Sequence, residues 1–140
     1  MIVSAPASSA NLGPGFDCLG LALDLPFRLA VDETPEDFHE AEPSHPAAVA
    51  FRDAGGDPGA ALVWHSPIPP GRGLGFSGAA RVAGAYAAGL RDGLDHAAAR
   101  DGALLRAAAL EGHPDNAAAS AHGGFVVAAG ERVVALAVPD

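Results

Sequence analysis

The sequence predicts an α+β fold. Three observations predict it: short apolar runs of strand length, two alanine-rich stretches with helical periodicity, and glycine or proline punctuation between them. Ile2-Val3 and the run from Leu19 to Val31 read as strands, the latter alternating through Phe27, Leu29 and Val31, with Pro26 marking a bend or an edge. Between them, Pro6 to Gly15 reads as loop. The acidic, proline-bearing stretch from Asp32 to Pro43 reads as a solvated connection. Ser44-His45-Pro46 then starts a short helix to Ala54, which Gly55-Gly56 ends.

Ala61 to His65 has the apolar character of a buried strand and stops at Pro67-Ile68-Pro69-Pro70. From Ser77 to about Leu90, residues Val82, Tyr86 and Leu90 recur at helical spacing, and a second helix is predicted from His96 to Leu110. Both are rich in alanine and are expected to pack closely. Phe125-Val126-Val127 and Val133 to Val138 flank Gly130-Glu131, the pattern of two strands joined by a tight turn. There is no internal repeat and no linker, so residues 1–140 are expected to form one domain.

Composition excludes several functions. A net charge of −9, with eight arginines and no lysine, argues against nucleic acid or an anionic membrane as partner, because both require a basic face. No apolar run approaches the roughly 20 residues of a spanning helix, and no signal sequence opens the chain, so a soluble, cytoplasmic protein is expected. Cys18 is the single cysteine, which excludes an intramolecular disulfide, and the scattered histidines lack thiolate partners for a zinc site. Without lysine, any phosphate site must rest on backbone amides and arginine.

The densest chemical signal is Pro69-Pro70-Gly71-Arg72-Gly73-Leu74-Gly75-Phe76-Ser77-Gly78-Ala79-Ala80. Glycines let the backbone curl with its amides inward, and the helix that follows adds unpaired N–H groups and the positive end of its dipole: an anion cradle. Ser77 stands where an N-cap is expected, and its hydroxyl could close the helix or reach a magnesium ion. Taken alone, such a loop fits a tight strand-to-helix connection equally well.

Two further segments carry polar groups. In Ala5-Pro6-Ala7-Ser8-Ser9-Ala10-Asn11-Leu12-Gly13-Pro14-Gly15-Phe16-Asp17, an irregular loop presents the Asn11 amide and Asp17 carboxylate toward a common space; read singly, these are an Asx-turn and a helix cap. Glu111-Gly112-His113-Pro114-Asp115-Asn116 closes a helix and precedes Gly123-Gly124-Phe125; singly, Glu111 is a solvated residue and His113-Pro114 a helix stop.

Together, in this order, the three segments resemble the motifs of GHMP kinases, and the first and third resemble those of the homoserine kinase type. The resemblance implies the ribosomal protein S5 domain 2-like fold of the family's N-terminal domain, a mostly antiparallel sheet with helices packed on one face. It implies ATP held by Pro70, Gly71, Arg72, Gly73, Leu74, Gly75, Phe76, Ser77, Gly78 and Ala79. It implies Mg2+ at Ser77 and Glu111, and L-homoserine as phosphoryl acceptor at Asn11, Asp17, His113, Asp115 and Asn116. Asp17 and His113 are the candidates for a general base.

The chain departs from the family at Phe76, where serine is usual and where a phenyl ring is expected to crowd the nucleotide, and at Gly78, where alanine is commoner. The family also carries a C-terminal lobe that completes the site. Half of an active site is therefore expected, with apolar surface left for that lobe or for a homodimer. A different small alcohol as acceptor, or a nucleotide-binding remnant without turnover, are the alternatives.

Overall fold

The computed structural model describes residues 1–10, 12–13, 18–129 and 132–137. Its strands are β1 (Ile2–Ser9), β2 (Leu19–Val31), β3 (His39–Glu40), β4 (Leu62–His65), β5 (Phe125–Ala129) and β6 (Arg132–Leu136). Four helices accompany them: α1 (Pro46–Asp53), α2 (Phe76–Arg91), α3 (His96–Glu111) and α4 (Asp115–His122). All strand pairings among the described residues are antiparallel.

The long strand β2 organises the sheet. Along one edge it pairs with β1; on the other, its C-terminal half takes β4 at Arg28–Val31 and its N-terminal half takes β5 at Leu19–Leu21. β3 extends the sheet beyond β4, and β6 beyond β5. Alternation decides the faces: Val3, Ala5 and Ala7 of β1 and Phe27, Leu29 and Val31 of β2 are buried under the helices, whereas Ile2, Ser4 and Arg28 are exposed. The α+β architecture with helices on one face follows the expectation.

β1 runs four residues further into the stretch expected as loop, through Pro6 to Ser9. Pro6 faces Pro26, so neither strand loses a partner for an N–H it lacks, and the register slips just beyond the pair, leaving Asp24 and Leu25 unmatched. The acidic connection likewise contains the two-residue β3, too short to register as an apolar pattern. The tight turn expected at Gly130-Glu131 lies outside the described residues.

Alanine sets the spacing of the helices. α2 presents Ala79, Ala80, Ala83, Ala87 and Ala88 to the interior, and at Gly84 it lies so close to α1 that a β-carbon there would strike the Ala47 carbonyl. The larger core side chains, Phe27, Phe51, Leu29, Ile68, Val31 and Val126, fill the space between sheet and helices. The helix expected from Ser44 begins at Pro46 with His45 as its cap, and the two alanine-rich helices match their expected spans to within a residue or two.

Candidate functional site

The glycine-rich loop carries three left-handed glycines in alternation, Gly71 at φ 70°, Gly73 at φ 71° and Gly75 at φ 68°. Only glycine takes this conformation freely. Gly75 is the N-cap of α2, correcting the expectation for Ser77, which falls inside the first turn. A left-handed glycine has no side chain to close the helix, and among the described residues no other side chain does so. The first helical bond is from Ala79 N–H to the Gly75 carbonyl at 2.9 Å, so the N–H groups of Phe76, Ser77 and Gly78 precede the ladder. An open N-terminus of a 16-residue helix with a curled glycine turn is an anion cradle.

Phe76 does not intrude on it. The ring turns toward the core, edge-on to Phe27 and Trp64 with centroids 5.5 Å from each and 6.0 Å from His45. The phenyl ring expected to crowd a nucleotide is packed within this aromatic cluster.

Around the cradle stand groups from β1, α3 and α4. The buried Ser8 donates its N–H to the Leu74 carbonyl at 3.1 Å and its hydroxyl to Oδ1 of Asn116 at 2.7 Å, tying the loop to α4. With Oδ1 engaged, the Asn116 side chain keeps its two N–H donors for another partner. The clearance is tight: a β-carbon at Gly75 would collide with Ser8 Oγ, and one at Gly78 would lie 3.3 Å from both Asn116 Cβ and Glu111 Oε2. Gly78 is thus the residue that lets α2 approach the carboxylate.

Glu111 ends α3, and Gly112 at φ 83° turns the chain sharply after it. Its side chain is 8% exposed. Oε1 accepts from Arg81 Nη1 at 2.9 Å, while Oε2 is buried without a hydrogen-bond partner. Burial pushes the carboxyl above its ordinary value; the charges of Arg81 and His113 oppose this, and the nearby Ser77 hydroxyl contributes a smaller lowering without a well-formed hydrogen bond to Oε2. A buried, unpaired carboxylate oxygen beside an open helix N-terminus is a hard donor suited to a cation.

At the start of α4, Asp115 is 2% exposed and its Oδ1 accepts both the Asn116 N–H at 2.8 Å and Nδ1 of His113 at 2.7 Å. This buried carboxylate therefore orients His113, whose ring is half-exposed, and it lies behind the imidazole as seen from solvent. Gly20 of β2 packs against this turn, where a β-carbon would lie 2.6 Å from the Asp115 carbonyl. Arg72 is exposed on the loop. Asn11 and Asp17 lie outside the described residues.

Sequence reasoning missed Ser8 and Arg81. Ser8 sits inside the first motif but its partner is 108 residues away, so no spacing announces it. Arg81 was within reach: it follows Ser77 by one helical turn and so shares its face of α2.

A glycine-turned helix N-terminus on an antiparallel sheet, with acid, amide and imidazole groups nearby, defines an α+β domain of open phosphate-loop geometry. The chain belongs to the GHMP kinases: the family model for the GHMP kinases N terminal domain matches residues 43–124. The homoserine kinase of Corynebacterium glutamicum (strain R) is 44% identical over 142 residues, covering 89% of this chain and 45% of that protein. A solved structure from Listeria monocytogenes, assigned as a homoserine kinase, superimposes with a TM-score of 0.81 at 35% identity, over 99% of this chain and 55% of that one. The Methanococcus jannaschii mevalonate kinase shares the fold, with a TM-score of 0.69 at 13% identity over 99% of this chain and 56% of that one. The chain spans about half the length of the curated relatives it matches.

Proposed function

We propose that this chain supplies the nucleotide-binding half, and part of the acceptor-binding half, of an ATP-dependent kinase that phosphorylates the hydroxyl of L-homoserine to O-phospho-L-homoserine. The observation that carries the reading is the convergence of Glu111 Oε2 and the Asn116 amide on the start of α2, with the Asp115-held His113 just ahead of Asn116 in the chain. The names and motifs of its relatives add the substrate.

In this reading the amides of Gly71 to Gly78 hold the triphosphate, with Ala79 closing the first helical turn behind them and Arg72 as an exposed cation on the loop. The γ-phosphoryl group passes to the acceptor hydroxyl oxygen, ADP leaves, and the hydroxyl proton goes to a base or to solvent; positioning and charge neutralisation supply most of the acceleration. Asn11, Asp17, His113 and Asn116 bind the acceptor, and Asp115 acts by orientation. Its hold on Nδ1 fixes the tautomer with Nε2 as acceptor, making His113 a candidate base beside Asp17.

Magnesium fits the residues present. The unpartnered Oε2 of Glu111 and the Ser77 hydroxyl would be its protein ligands. Bound there, it would neutralise charge between the phosphates.

A second reading is nucleotide binding without turnover. Calorimetry with ATP and Mg2+ measures binding by the chain, and a coupled ADP assay with homoserine, mevalonate and sugar acceptors measures transfer. The assay is run with the chain alone and with the C-terminal half of the Corynebacterium relative added. ADP release specific to homoserine in the complemented sample is expected. None in either sample would overturn the kinase reading, and absence of ATP binding would overturn both.

A further inference from the structure

Ser8 stands where three segments of the candidate site meet. It is the last residue but one of β1, is fully buried, and faces Ala22 of β2 in a pairing that runs the length of β1. Its two polar groups go different ways. The N–H donates to the Leu74 carbonyl at 3.1 Å, just ahead of the Gly75 cap of α2, and the hydroxyl donates to Oδ1 of Asn116, the second residue of α4, at 2.7 Å. Among the described residues that is the hydroxyl's one hydrogen bond.

Of the loop's three left-handed glycines, the last alone faces protein. A β-carbon on Gly71 or Gly73 would meet nothing within 4 Å, whereas one on Gly75 would strike Ser8 Oγ and lie 3.1 Å from Asn116 Oδ1. Gly71 and Gly73 therefore have room to settle around an anion, while the end of the loop that must follow them is packed against Ser8 and Asn116. Close-packed contacts pass a displacement on instead of absorbing it. Asn116 is half-buried, and its N–H shares the Asp115 carboxylate with the His113 ring, so a moving loop reaches the acceptor group through this side chain. The same hydrogen bond sets what Asn116 offers. An amide has an acceptor end and a donor end, and a half-turn exchanges them. With Ser8 on Oδ1, the donor end is the one left for a ligand; without it, the two orientations compete.

We propose that Ser8 is a positioning residue that couples the two substrate sites: through its hydroxyl, a nucleotide on the glycine loop fixes the Asn116 amide, and the acceptor alcohol binds more tightly for it. By reciprocity the acceptor tightens the nucleotide by the same factor. Being fully buried, Ser8 touches neither substrate. The inference rests on the kinase reading above.

The test titrates L-homoserine into the isotope-labelled full chain, read at the Asn116 side-chain amide, first without nucleotide and then with saturating ADP and Mg2+, which cannot transfer. In the parent, homoserine affinity is expected to rise by about fivefold or more when ADP is bound. In Ser8→Ala, which keeps the N–H bond to Leu74, the enhancement should shrink to about twofold or less, while ADP still saturates its shifts at residues 71–78 at the parental concentration. Should Ser8→Ala unfold, Ser8→Cys keeps a side chain of similar size with a weak donor, and its enhancement should fall between the two. Equal enhancement in parent and variants, none in the parent with both ligands bound, or a weakening of ADP and homoserine alike in Ser8→Ala, as a purely structural role would give, would each overturn the proposal. Shifts from ADP with none from homoserine would overturn the acceptor reading, and no shift at residues 71–78 the nucleotide reading; either takes this inference with it.

Discussion

Gly75 shows how one residue can carry both conformation and clearance. Its φ of 68° penalises any β-carbon, and the direction that carbon would take is filled by the Ser8 hydroxyl. Gly75→Ala is expected to lower stability by about 2 kcal/mol or more, because backbone strain of 1–2 kcal/mol adds to the collision. The denaturation midpoint should fall and ATP binding weaken together. A variant with the parental midpoint would show that the loop relaxes around the new methyl group. At this scale the motif residues were legible from type and spacing. The groups that hold them, Ser8 on Asn116 and Arg81 on Glu111, were not, because a hydrogen bond between chain-distant residues leaves no periodic trace.

Elements were legible where their apolar pattern was long, and their ends were legible where the cap was ordinary. α3 has Asp95 accepting from the Ala98 N–H and glycine in the left-handed region after it, and its span was read almost unchanged. α1 is capped by a less usual residue: Nδ1 of His45 accepts the Ala47 N–H at 3.2 Å, and the ring stacks against Trp64 at 4.9 Å. Burial holds this imidazole below its ordinary value of 6.5. The neutral ring is the form the fold prefers, since protonated Nδ1 can no longer accept. Its contribution to stability is therefore fully present above pH 6.5 and is lost as pH falls from there through the lowered folded value. His45→Asn keeps a capping acceptor and removes the titration. Its unfolding free energy should lack the loss seen below pH 6.5 in the parent, and parallel pH profiles for the two proteins would assign that loss elsewhere.

Over the whole molecule, net charge and exposed apolar side chains dominate. Ile2, Val134 and Leu136 are among the exposed large apolar side chains, with Val134 and Leu136 on β6 at the edge of the sheet. Where such side chains fall depends on the order of strands around β2, which no apolar pattern in the sequence announces. The net charge of −9 was plain from composition, and its consequence follows from comparing two effects of salt. Screening weakens the exposed pairs Arg91–Asp32, Arg106–Asp53 and Arg100–Asp101, whose attraction is already small in water. It also relieves mutual repulsion: nine excess charges on a sphere of about 15 Å radius repel one another by about 10 kcal/mol in salt-free water, and the expanded unfolded chain escapes much of this. Relief is the larger effect. Salt raised from about 0.01 M to 0.15 M shortens the screening length from about 30 Å, wider than the domain's radius, to about 8 Å. The melting temperature is expected to rise over that interval, when followed by circular dichroism with sodium chloride. A fall would mean that the surface ion pairs outweigh the repulsion and that the acidic excess is more finely compensated than its count implies.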